Sequence, residues 1–138
     1  MKKMTPNLAV TNISETVKYY QNNLSFTLTA AVPESQDGVD QQLVEGKTYV
    51  FAMMKNGDAE LMFQRTDSFV HDVELAEDES IGASVSFYFE VEDLAELHVK
   101  LKANGLKVTK IKTTWYGANE FYMKDLNGYI LGFSENKQ

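Results

Sequence analysis

The sequence contains no cysteine. That excludes disulfides, thiolate catalysis, iron–sulfur clusters and Cys-type zinc sites. It also fits a reducing, cytoplasmic setting. Histidine is scarce, with two in 138 residues, so an imidazole-rich metal site has little to draw on. Arg65 is the one arginine, and 13 basic side chains face 20 acidic ones for a net charge of −7. No basic cluster is available for nucleic-acid phosphates or for an anionic membrane surface, whereas a cationic ligand is compatible with the charge. Polar residues interrupt every hydrophobic run well before the about 18 residues that would span a bilayer. The opening Met-Lys-Lys-Met-Thr-Pro has no apolar stretch behind it to make a leader.

A 43% hydrophobic and 12% aromatic composition suits a cored domain. A chain of this length buries roughly 70% of the surface it exposes when unfolded, so it needs no staple. The most informative pattern is an internal repeat. Shifted by 81 positions, Val10 meets Val91, Asn12 meets Asp93, Ile13 meets Leu94, Glu15 meets Glu96 and Asn23 meets Asn104. Asn12-Ile-Ser-Glu15 and Asp93-Leu-Ala-Glu96 have the form of helix-capping boxes. Behind them Ile13, Val17, Tyr20 and Leu24, and then Leu94, Leu97 and Leu101, recur at helical spacing. Asn104-Gly105 is a helix stop.

The remaining segments read as strands. In the first half these are 25–32, 47–54 and 59–64, with Lys55-Asn56-Gly57-Asp58 as a hairpin turn. In the second half they are 83–91, 106–113, 118–124 and 129–134, with the turn at Asp125-Leu126-Asn127-Gly128. Residues 34–46 read as a loop with room for a short strand. Residues 66–82 carry six acids and read as a solvated linker with room for a short helix. The expected fold is α+β: two tandem βαβββ modules, about 4–65 and 83–134, with curved, mostly antiparallel sheets.

These two modules, the segment Leu8 to Tyr20 and the tail from Trp115-Tyr-Gly117 to Asp125-Leu-Asn-Gly128-Tyr resemble the vicinal oxygen chelate superfamily. That superfamily holds glyoxalases, bleomycin resistance proteins and extradiol dioxygenases. The similarity spans nearly the whole chain and is strongest to the small bleomycin-resistance-like members. Their common ending is Asp-Pro-x-Gly, and here Leu126 replaces the proline, leaving a less rigid turn. The resemblance implies a cup formed by the modules and paired across a homodimer, a fold that hosts unrelated chemistries. Family enzymes hold a divalent metal with four side chains, and the resemblance places these positions at Thr5, Glu60, Ser86 and Gly132. Of these only Glu60 is a competent ligand, and neither His71 nor His98 falls where a ligand is needed. The implied protein uses no metal and no cofactor.

Candidate site residues follow from strand parity and from the resemblance. Glu60 shares a strand face with Met62 and Gln64, opposite Ala59, Leu61 and Phe63. In the cavity it would anchor a cationic group, or in apolar surroundings exchange protons near neutrality as a catalytic acid/base. On the surface it would be an ordinary solvated residue. Trp115 and Tyr116 lie in a loop and offer aromatic faces for stacking, or equally a dimer contact. Phe51, Met53, Met62, Phe87 and Phe121 complete the expected ligand-binding set. The leading reading is a metal-independent protein that sequesters a small drug or metabolite. Two others stay open: a lyase or isomerase using Glu60, and a structural or regulatory dimer.

Overall fold

The computed structural model describes residues 1–73 and 85–136. The chain divides into two compact units, Met1–Ser80 and Ile81–Gln138. The first contains β1 (Asn7–Val10), α1 (Ile13–Leu24), β2 (Thr27–Pro33), β3 (Tyr49–Asn56), β4 (Ala59–Arg65) and α2 (Thr66–Asp72). The second contains β5 (Ser86–Glu90), α3 (Leu94–Ala103), β6 (Lys112–Thr113), β7 (Ala118–Lys124) and β8 (Ile130–Asn136). Each unit is a βαβββ module with a four-stranded mixed sheet, ordered β1-β4-β3-β2 in one and β5-β8-β7-β6 in the other. The first strand of each module pairs parallel with the last, and the other pairs are antiparallel. The crossover helix explains this: a strand followed by a helix can return to its own sheet in parallel, whereas a tight hairpin cannot.

Both helices begin where their caps predict. Asn12 is extended and its Oδ1 accepts the Glu15 N–H at 2.9 Å. Asp93 does the same for the Glu96 N–H at 3.0 Å. Each bond satisfies one amide that the first helical turn leaves without a partner. Asn12→Ala and Asp93→Ala are therefore each expected to cost about 1 kcal/mol of stability. Urea titration followed by circular dichroism measures it, and an unchanged midpoint would show that the cap contributes nothing. The α3 helix stops at Gly105, whose φ of 80° suits glycine, with the Leu106 N–H donating to the Leu101 carbonyl at 3.0 Å.

The first core lies between α1 and its sheet. Tyr20 and Phe63 are fully buried with ring centroids 4.9 Å apart, and Phe26 meets Tyr20 edge-on at 5.5 Å. The second core lies between α3 and its sheet, where Phe121 packs on His98 and Phe133. Residues 34–46 hold one isolated bridge, Ala31 to Asp40. Their loop is pinned by the buried Tyr49, whose hydroxyl donates to Asp40 Oδ2 at 2.7 Å and accepts the Val44 N–H at 2.9 Å.

Two sequence expectations change in detail. Within 106–113 only Lys112–Thr113 is strand, with a single further bridge from Val108 to Met123. At Thr109 the pairing with β7 is half kept: its N–H donates to the Tyr122 carbonyl at 2.9 Å. The Tyr122 N–H, however, goes to the Thr109 hydroxyl at 2.8 Å, while the Thr109 carbonyl accepts from His98 at 2.9 Å. The start of 66–82 is the helix α2, tied to β4 through the Gln64 amide, which donates to Ser68 Oγ at 2.9 Å and Asp72 Oδ2 at 2.8 Å. The remainder of that segment from 74, with the first two residues of the expected strand 83–91, lies outside the described residues. No helix among the described residues is long and apolar enough to cross a membrane.

Candidate functional site

The expected site residues fall into two groups, one per unit. In the first unit, Phe51, Met53, Glu60 and Met62 share the sheet face turned away from α1. Alternation decides this. Leu61 and Phe63 are buried with the helix, so Glu60, Met62 and Gln64 take the opposite parity. Antiparallel register sets Met53 beside Met62 and Phe51 beside Gln64. All four expected residues are half-buried. Glu60 is not bare: its carboxylate meets the Lys3 ammonium at 2.7 Å, and Lys55 stands opposite it across the ladder. Its charge is already answered from within the chain, and its hydrogen-bond partner is a cation instead of an apolar lining.

In the second unit the expected residues separate. Trp115 is 94% exposed and meets Tyr116 edge-on at 5.2 Å. Phe121, expected among the ligand contacts, is 1% exposed and lies in the core, its ring 4.9 Å from His98 of α3. Phe87 also turns to the α3 face, in register with the fully buried Leu131 and 6.1 Å from Tyr129. The reason is parity again: the apolar stripe Phe87, Phe89, Phe121, Met123, Leu131 and Phe133 belongs with the helix. Both phenylalanines therefore stand outside any site on the other face.

That other face carries a cluster absent from the expected set. Tyr88 of β5 donates its hydroxyl to Glu120 Oε2 at 2.6 Å, and Tyr116 donates to the same oxygen at 3.2 Å. Tyr122 lies 6.5 Å from Tyr88, ring to ring, with the planes 43° apart. Between them in the sheet is Gly132, paired with Tyr88 on one side and Tyr122 on the other. A Cβ on Gly132 would come within 2.6 Å of Tyr122 Cε1 and 3.0 Å of Tyr88 Cδ1. The missing side chain is what lets the two rings approach. The hydrogen bond to Glu120 pushes the Tyr88 phenol up to about 12, because the neutral phenol is the form that donates to the carboxylate. Burial, followed by the nearby Glu120 charge, raises Tyr122 too. The signal for this cluster was available: Tyr88, Glu120 and Tyr122 are the polar members of alternating strands whose apolar members form the core.

Beside Tyr122 lies a cavity of about 590 Å³. Leu106, Val108, Met123 and Ile130 line it, with Lys107 and Lys124.

The family's metal positions do not fit a divalent cation here. Asn7 pairs with Met62, and Tyr88, 81 positions later, pairs with Gly132. Gly132 therefore matches Met62 in the repeat, and the counterpart of Glu60 is Ile130. This corrects the fourth position expected from sequence. The set becomes Thr5, Glu60, Ser86 and Ile130: one carboxylate, two hydroxyls and a hydrocarbon. The space over Gly132 is taken by tyrosine rings. Among the described residues no group of three His, Asp or Glu side chains is placed to hold a metal ion. His98 donates Nε2–H to the Thr109 carbonyl at 2.9 Å, and His71 pairs with Asp72 at 3.0 Å.

Two βαβββ modules, each with a helix on one sheet face and a second face holding the candidate residues, define a protein of the vicinal oxygen chelate class. The family model for the Glyoxalase/Bleomycin resistance protein/Dioxygenase superfamily matches residues 5–133, and the chain belongs to that superfamily. Among solved structures it is similar to a bleomycin-binding protein complexed with bleomycin, at 16% identity and a TM-score of 0.64, covering 99% of this chain and 100% of the other. It is similar to a bleomycin resistance determinant encoded on the transposon Tn5, at 16% identity and a TM-score of 0.66, covering 100% of both chains. A lactoylglutathione lyase from Agrobacterium tumefaciens is similar at 13% identity and a TM-score of 0.68, covering 98% of this chain and 94% of the other. At such identities the likeness is one of fold. Among curated proteins none matches.

Proposed function

We propose that the protein binds a small organic molecule without a metal and holds it instead of converting it. The observation that carries this reading is the apolar cavity of about 590 Å³ beside Tyr122. Its size falls in the range of ligand pockets, and one polar aromatic cluster adjoins it, as such pockets commonly have. The donor set at the family's metal positions argues against metal-assisted chemistry. Glu60, the one candidate acid/base, is engaged by Lys3. Structural similarity to two bleomycin-associated proteins supports the reading at the level of fold. Homodimerisation belongs to the same proposal, since pairing would cover Trp115.

The test is thermal unfolding of chelator-treated protein against a panel of small aromatic and cationic compounds. A ligand at 100 times its Kd is expected to stabilise the fold by about 2.7 kcal/mol with no metal added. A binding response that appears only on adding a divalent ion would overturn the metal-independent reading. A compound converted by the wild type and left unconverted by Glu60→Gln would establish the lyase or isomerase reading in its place.

A further inference from the structure

We infer that the face formed by Tyr88, Tyr116, Glu120 and Tyr122 receives the cationic group of a singly charged, amphiphilic organic cation, with its apolar body lying in the adjoining cavity. This rests on the small-molecule reading above and names the ligand class and its orientation.

Three observations on separate parts of the cluster converge. The first is charge. Glu120 makes no ion pair among the described residues, in contrast to Glu60. Lys112 stands opposite it in the β6–β7 register but does not pair with it. Both tyrosine hydroxyls converge on Oε2, so Oε1 takes neither of those bonds. The carboxylate is thus held in place by neutral donors, with no ammonium or guanidinium bonded to it among the described residues.

The second is aromatic geometry. Tyr88 and Tyr122 lie 6.5 Å apart, ring to ring, with their planes 43° from parallel, an angled pair (the V) whose rings both approach Gly132. A cation seated in the V lies within about 6 Å of both ring centroids, the distance at which the ring faces attract it. The V requires glycine at 132, since any other residue would drive a Cβ into the rings.

The third is continuity. Tyr122 belongs to the cluster and also lines the cavity. A ligand with its charge in the V therefore has the apolar side chain of Ile130 beside it, which shares the strand face of Tyr122 and lines the same cavity. Lys107 and Lys124 at that cavity repel a second positive charge. The site is polar along its length: negative and aromatic at one end, apolar with positive flanks at the other. A compact alkylammonium with no hydrocarbon body would use half of it, and a dication would meet repulsion.

Isothermal titration with three probes tests this: phenylbutyl-trimethylammonium, its neutral isostere with carbon in place of nitrogen, and the corresponding bis-trimethylammonium dication. The monocation is expected to bind at least about tenfold more tightly than either of the others. Glu120→Gln keeps an oxygen acceptor for the tyrosines and removes the charge; it is expected to abolish the preference for the cation over the isostere. Lys124→Ala is expected to improve the dication selectively. Gly132→Ala is expected to weaken the monocation at least about tenfold through displaced rings, with the circular dichroism spectrum retained as evidence of the fold. Equal binding of cation and isostere by the wild type would overturn the inference while leaving small-molecule binding standing. So would an unchanged preference in Glu120→Gln. Absence of binding by all three probes would overturn the inference together with the placement of ligand binding in this cavity.

Discussion

Phe121→Ala is expected to destabilise the second unit by about 3–5 kcal/mol. The ring is 1% exposed and is held from two sides: His98 meets it edge-on at 4.9 Å and 77°, and Phe133 lies 5.2 Å away at 33°. Truncation removes the transfer free energy of the ring and leaves a void that neighbours on a sheet and a helix cannot both collapse into. It also strips His98 of the ring that orients it above the Thr109 carbonyl. Against a total stability of about 5–15 kcal/mol for a domain, the loss is large. Phe121→Leu keeps most of the volume and is expected to cost about 1.5 kcal/mol or less. Urea titration by circular dichroism reads both. A ligand contact would behave in the opposite way: truncation would leave the midpoint in place and remove binding.

The same residue marks where the sequence was readable and where it was not. Helix starts are local events. Asn12 and Glu15, or Asp93 and Glu96, lie within one turn, so a short window holds both partners of the bond. Strand positions were legible for similar reasons, because alternation and turn residues are local. The face each strand presents is a longer-range property. In the first unit Leu61 and Phe63 are unambiguous apolar partners for a helix, and the parity of Glu60 and Met62 followed. In the second unit both parities carry aromatics: Phe87, Phe89 and Phe121 on one, Tyr88 and Tyr122 on the other. Only the hydroxyls and Glu120 distinguish them, and the phenylalanines expected at a site lie on the helix side.

Contacts between distant residues were beyond the pattern altogether. Lys3 reaches Glu60 across 57 positions, and Tyr88 reaches Glu120 across 32. Nothing in composition or spacing announces either pair. Yet they decide which carboxylate is ion-paired, Glu60, and which is held by phenol hydroxyls, Glu120. The register correction from Gly132 to Ile130 is of the same kind. A shift of two residues keeps the strand face and changes the identity of the side chain, so a repeat read from sequence alone permits either. The strand 106–113 is shortened where side chains take over backbone partners: at Thr109 the hydroxyl replaces the carbonyl as acceptor for Tyr122, and the carbonyl goes to His98.

Asp125→Ala is expected to cost about 2–4 kcal/mol, from the loss of two hydrogen bonds to a charged acceptor. Asp125 is buried and its Oδ1 accepts the Asn127 and Tyr129 N–H groups, each at 2.9 Å. Its own N–H donates to the Tyr129 carbonyl at 2.9 Å, and its carbonyl accepts the Gly128 N–H at 3.1 Å. One side chain thus organises the whole β7–β8 turn, an aspartate hydrogen-bonding its own turn backbone. Alanine would leave two amides without that partner at a half-buried turn, and the register of β8 depends on the turn that feeds it. This arrangement also accounts for Leu126 in place of the proline of the resembled motif: the turn is closed by Asp125, so a fixed φ at the next residue is not required. Asp125→Asn keeps an acceptor oxygen and is expected to retain most of the stability. Leu126→Pro occupies the second position of a turn closed by the Gly128 N–H, where proline is favoured. It is expected to stabilise by about 0.4–1 kcal/mol by restricting the unfolded chain. Chemical denaturation of the three variants separates the contributions. If Asp125→Ala were as stable as the wild type while Leu126→Pro destabilised, the turn would be held by its backbone geometry alone, and the role given to the carboxylate would be lost.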